Sequence, residues 1–187
     1  IVVNLVNLVE DKVTLTVDED NDGAYDITDE GNTYENVVPG DVLKKNPVVT
    51  NTGKYDQWVR VSISISKDFA NKVAEAQGVA AANIDFATVF SGFNSTAFEA
   101  NRVIADIYTD YYTYVYYVAA PLAPEGTVKV FDTVNIPSSF TQDDMAYGLD
   151  GFQIIVKAEA LQADNIAGPA SEAFATVGWD AGEVYGE

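Results

Sequence analysis

Hydrophobic and polar residues alternate with a period of two along much of this chain, the pattern of strands with one face buried. In residues 12–17, Val13, Leu15 and Val17 share one face and Thr14 and Thr16 the other. Trp58–Ser66 is the cleanest case: Val59, Val61, Ile63 and Ile65 are expected in a core, with Arg60 and the serines outward. Further strands are expected over residues 47–51, 103–117, 127–135 and 151–162. Turn signals punctuate them at Val38-Pro39-Gly40-Asp41 and Asn51-Thr52-Gly53-Lys54. Between residues 68 and 93 the period changes. Phe69, Lys72, Val73 and Ala76 fall at helical spacing, as do Phe86, Val89, Phe90 and Phe93. Residues 142–148 read as a short helical turn. Residues 169–177 read as a terminal helix, with Pro169 allowed in its first turn. Many short strands with turn punctuation predict an all-β fold, an antiparallel sandwich with short helical insertions. The organisation expected is an N-terminal extension over residues 1–10 and one domain over 11–187, with its helical segment at about 68–93.

Composition narrows what such a domain does. The 187 residues include 29 acidic and 10 basic side chains, a net charge of −19. Hydrophobic residues make up 48%, which excludes a disordered acidic tail because there is enough apolar material for a core. Nucleic acid is not an expected partner, since that charge repels phosphates and no basic stripe interrupts it. The chain has no cysteine and no histidine. Disulfides, thiolate nucleophiles and the usual zinc sites are therefore excluded, along with the commonest general base. No stretch of about 18 uncharged apolar residues is present, so no membrane span is expected. The first residue is Ile1 rather than methionine, which reads as a processed product, and Asn94-Ser95-Thr96 is a lone glycosylation sequon of a kind common by chance.

The sharpest chemical motif is acidic. Asp18, Asp20, Asp22, Asp26 and Asp29 occupy positions one, three, five, nine and twelve of a loop with Gly23 at six and Ala24 at seven. That is the ligand spacing of an EF-hand calcium loop, in which Ala24 would contribute its carbonyl. Calcium needs six to eight oxygens, and the glycine permits the turn that points them inward. Asp29 stands where the longer bidentate glutamate is usual, and a strand precedes the loop where an EF-hand has a helix. Calcium is the expected cofactor; the competing reading is a solvated acidic turn. Asp143, Asp144 and Glu183 are further acidic residues with weaker claims.

Residues 108–117 are tyrosine-rich. Tyr112, Tyr114 and Tyr116 share one strand face, while Tyr111, Thr113, Val115 and Tyr117 share the other. Tyrosine buries area at low entropic cost, so the first three are candidate interface residues. The alternatives are packing beneath an insertion and carbohydrate stacking.

Several segments, in order, resemble the TasA/camelysin family of exported proteins released by the SipW-type signal peptidase. They are Val38-Pro39-Gly40-Asp41, then Val48-Val49-Thr50-Asn51-Thr52-Gly53, then Trp58-Val59-Arg60-Val61. Tyr116-Tyr117, Pro121-Leu122, Pro124, Gly126 and Val130-Phe131-Asp132-Thr133-Val134 follow, and then Ala158-Glu159-Ala160-Leu161-Gln162-Ala163-Asp164-Asn165. The match covers residues 37–175. Glu125 separates the family's Pro-Gly pair, and Phe174 sits near where members often have tryptophan. The resemblance implies a jelly roll, an extracellular location, and self-assembly into fibres, pili or tubes of a biofilm matrix or cell surface, with other matrix components as further candidate partners.

Relatives polymerise by donor-strand exchange, the N-terminal segment of one subunit completing a sheet of the next. Ile1–Val9 suits that role, being apolar, β-branched and unmatched by an adjacent hairpin turn. Val3, Leu5 and Val9 share one face with Asn7; Val2, Val6 and Leu8 share the other with Asn4, and Ile1 opens the segment. The competing reading makes residues 1–9 an edge strand of their own domain. Some camelysins are described as metalloproteases, but this chain lacks His-Glu-x-x-His, so no enzymatic activity is expected. The alternative function is a monomeric calcium-binding adhesin or matrix-binding module that uses its tyrosine face.

Overall fold

A computed structural model of the chain describes residues 3–5, 15–18, 26–28, 31–33, 37–105, 109–145 and 152–178. The central sheet has five strands. In spatial order they are β1 (Val3–Leu5), β13 (Ile154–Gln162), β7 (Gln57–Ser66), β10 (Tyr111–Tyr117) and β9 (Val103–Ala105). All neighbours in it are antiparallel except β1 and β13, which run parallel. Two three-stranded sheets accompany it. One is β11 (Thr127–Lys129), β6 (Val48–Asn51) and β2 (Leu15–Asp18); the other is β5 (Val42–Lys44), β12 (Thr133–Asn135) and β8 (Phe90–Ser91). A small hairpin pairs β3 (Asp26–Thr28) with β4 (Gly31–Thr33).

The central sheet and the two three-stranded sheets share one core. Val59, Val61, Ile63 and Ile65 of β7 point into it, as the alternation predicts, with Val156, Ala158 and Ala160 of β13 beside them. Val49, Val128, Val134 and Phe90 enter it from the smaller sheets. Helix α1 (Lys67–Gln77) follows β7 directly and buries Phe69, Ala70, Val73 and Ala74. Phe69 stacks on Phe152 at 4.5 Å between ring centroids. Gly78 ends the helix at φ 69°, with backbone bonds back to the last turn.

The buried stripe of α1 leaves Ala76 exposed and Lys72 half-buried. Three expectations are corrected. The second expected helix stops early: α2 (Phe86–Val89) gives way to β8, whose Phe90 and Ser91 pair with Val134 and Thr133. Residues 103–117 are two antiparallel strands, β9 and β10, rather than one. Residues 127–135 likewise split, β11 and β12 lying in different sheets. Periodicity alone does not register these breaks, since a bend between two strands keeps the apolar positions apolar.

The outer face of the central sheet departs most from expectation. Arg60, Ser62 and Ser64 face away from the core as expected, yet all three are buried. Helix α3 (Ala170–Thr176) covers part of that face, with Pro169 at its N-cap rather than inside the first turn. Ala170, Ala173 and Phe174 pack there with Val115, Tyr117 and Leu161 into a second, smaller core.

Candidate functional site

Among the described residues, one edge of β13 is paired over only part of its length. Along one side it pairs with β7 over its whole length, from Ile154 opposite Ile65 to Gln162 opposite Gln57. Along the other, its described partner is β1, with Val3, Asn4 and Leu5 opposite Ala158, Glu159 and Ala160. Three of its nine residues are therefore matched on that side among the described residues. Backbone hydrogen bonds on such an edge are available to any strand of suitable register.

The paired stretch is also anchored from the β7 side. Glu159 forms an ion pair with Arg60 directly across the β7–β13 ladder, and each side chain is almost wholly buried. The guanidinium lies 4.9 Å from the centroid of the Phe174 ring, so α3 closes over the pair. Phe174 in turn packs against Tyr117. Burial pushes the Tyr117 hydroxyl above its ordinary pKa, against the opposing pull of Arg60. α3 is tied down at its start: the Ser171 N–H donates to Glu99 Oε1 at 3.0 Å. Just before it, the Trp58 indole N–H donates to the Ile166 carbonyl at 2.9 Å. A Cβ at Gly168 would run into the Trp58 ring, so only glycine lets the chain pass there.

Segments that carry the family resemblance meet around Asn51. Asn51 is fully buried, and its Nδ2 donates to the carbonyls of Tyr55 and Leu122, each at 2.8 Å. Its Oδ1 accepts from the Gly53 N–H at 2.8 Å. Its backbone N–H donates to the Gly126 carbonyl, and Gln57 and Leu122 exchange two backbone bonds. Ala163 N–H donates to the Asp56 carbonyl. Glu125 takes φ 63°, and a Cβ on Gly126 would sit 2.7 Å from the Ala123 carbonyl oxygen. The motif residues here hold three loops together. The Pro-Gly-Asp turn is of the same kind, with Gly40 at φ 90° and Asp41 Oδ2 accepting from the Val38 N–H.

Of the expected donor segment, Val3 and Leu5 lie in β1, while Ile1, Val2, Val6, Leu8 and Val9 lie outside the described residues. Of the acidic loop, Asp18 ends β2 and Asp26 begins β3, so the loop joins those two strands. Asp20, Asp22, Ala24 and Asp29 lie outside the described residues, as does Glu183. Among the described residues no group of three acidic side chains is gathered as a metal site. Asp144 is engaged elsewhere: it pairs with Lys72 Nζ at 3.1 Å and accepts from the Thr141 N–H. That backbone bond, with Lys72, holds its carboxyl below the usual range.

The tyrosine face is not a surface. Tyr114 and Tyr116 are buried beneath the helical segment, where Phe86 and Phe93 pack on them. Tyr112 is half-buried, with Lys67 over its ring and its hydroxyl on Asn71. As candidate interface residues, Tyr114 and Tyr116 are therefore corrected to core residues. Arg60, Glu159, Glu99 and Phe174 are residues of this region that the pattern of the chain does not bring forward. The available signal is a charge within each of the two longest strands, Arg60 in β7 and Glu159 in β13.

No family model, no curated protein and no solved structure matches this chain.

Proposed function

We propose that this protein is an extracellular structural subunit that polymerises head to tail by donor-strand complementation into a fibre, pilus or tube. The observation that carries the reading is β1. It is a short strand, the first described in the sequence, added in parallel to an edge of the central sheet that has no other strand hydrogen-bonded to it among the described residues. The contact it makes is one that the same segment of another copy can make equally well, because a ladder of backbone bonds does not distinguish the two sources. The apolar sequence of residues 1–9 suits burial along such an edge. In this reading the strand layers form the jelly roll implied by the TasA/camelysin resemblance. The loop between β2 and β3 binds calcium through Asp18, Asp20, Asp22, Asp26, Asp29 and the carbonyl of Ala24. Calcium also offsets repulsion between subunits that each carry a net charge of −19. No enzymatic role is proposed. Burial of Tyr114 and Tyr116 leaves Tyr112 as the one partly exposed ring of that row, which favours the fibre over the monomeric adhesin.

The test is negative-stain microscopy of the purified chain, with millimolar calcium and with chelator, beside a variant lacking residues 1–9. Filaments from the full chain and monomers from the folded variant are expected. Filaments from the truncated variant would overturn the donor-strand assignment, and monomers from the full chain in both conditions would overturn the fibre. Filaments that persist under chelator would confine calcium to the loop.

A further inference from the structure

Arg102 sits just before β9, the strand at the far edge of the central sheet from β1. Its guanidinium carbon lies 4.6 Å from the centroid of Phe86, 4.9 Å from Tyr114 and 5.8 Å from Tyr116. Three oxygens complete the enclosure. Arg102 donates to the Ala82 carbonyl at 3.0 Å, the Ile84 carbonyl at 2.7 Å and the Tyr116 hydroxyl at 2.7 Å. The rings come from α2 and β10, and the two carbonyls from the short turn between α1 and α2. Tyr114 uses its own hydroxyl to donate to the Ala81 carbonyl, fixing that turn against the sheet. One side chain thus bridges the turn, α2 and the sheet.

The chemistry of the enclosure is specific. A planar cation with divergent N–H donors satisfies the ring faces and the spread oxygens together. A lysine ammonium reaches the rings but is a compact point charge that does not span the three acceptors. Removing the cation leaves the part-buried Ile84 carbonyl without this donor, which costs more than the contact alone.

We propose that Phe86, Tyr114 and Tyr116, with the carbonyls of Ala82 and Ile84, form a guanidinium-binding cage whose resident ligand is Arg102, and that filling it holds β9 on the sheet. The cage then closes one edge of the sheet by a side-chain pin, independently of whether the other edge takes part in assembly. The site accepts a free guanidinium ion when the arginine is removed.

The experiment is hydrogen exchange at the amides of Val103–Ala105 and Thr113–Val115 in the full chain and in Arg102→Ala. Exchange there is expected to speed up about tenfold or more in the variant. Added guanidinium, far below denaturing concentration and matched against sodium chloride and ethylammonium, is expected to slow it again while the other two salts do not. Rescue by all three salts alike, or by none, overturns the cage. If Arg102→Ala does not fold, Tyr116→Phe keeps the ring and removes one acceptor. Unchanged exchange at these amides in that variant also overturns it.

Discussion

The two faces of β7 are both buried, but by different means. Toward the smaller sheets, Val59, Val61, Ile63 and Ile65 lie in an apolar core, and burial there is stabilising in proportion to the area removed from water. Toward α3, Arg60 is buried against Glu159 and Phe174, with Ser62 and Ser64 in the same row. A buried ion pair is weak evidence for net stability, because desolvation offsets much of the attraction. The inner face therefore tolerates gradual change. The outer face depends on each partner being present, since either charge alone is left stranded.

The comparison breaks most sharply at the ion pair. Arg60→Ala is expected to destabilise the fold by about 3–5 kcal/mol, because it leaves Glu159 buried without its cation. The double change Arg60→Met with Glu159→Leu is expected to recover most of that loss. Urea midpoints of the two variants measure the difference, and a double variant no better than the single one would show that the charges themselves stabilise this face.

A second contrast concerns alkaline pH. Burial raises the Tyr116 hydroxyl from 10.0 to about 12, against the hydrogen bond from Arg102. A raised pKa means that the unfolded chain ionises first as pH rises. The contribution is therefore complete below pH 10.0 and is lost as pH climbs to about 12. It amounts to something on the order of 2 kcal/mol. Unfolding midpoints measured across this range should fall, and Tyr116→Phe should flatten the fall.

The smallest expected effect lies on the inner face. Ile63→Val removes one methylene from a fully buried position and should cost about 1 kcal/mol. A loss comparable to that of Arg60→Ala would mean that the apolar core is as intolerant as the ion pair.

Much of the sheet is legible in the sequence because alternation is a local signal. It assigns Val59, Val61, Ile63 and Ile65 to the core and places the Pro-Gly-Asp and Asn-x-Gly turns. It also locates the helical segment after β7. Alternation gives the direction in which a side chain points, not what lies above it. Arg60 therefore reads as a surface residue, although α3, beginning far along the chain at Ala170, comes to rest over it. The tyrosine row is ambiguous for the same reason: its cover, Phe86 and Phe93, belongs to another stretch of chain. Asn51 reads as a turn residue, and it is one, but its bond to the Leu122 carbonyl depends on a segment 71 residues away.

The position of β7 between β10 and β13 has a consequence for synthesis. Its two neighbours are made after it, and the second is complete only at Gln162. At typical rates of translation, roughly 5–20 s separate the appearance of Ser66 from that of Gln162. During that interval a ten-residue strand rich in valine and isoleucine has one prospective neighbour at most. The nascent chain thus carries an aggregation-prone segment early and its remedy late, and a ribosome-associated chaperone that shields residues 57–66 would matter most between those two moments.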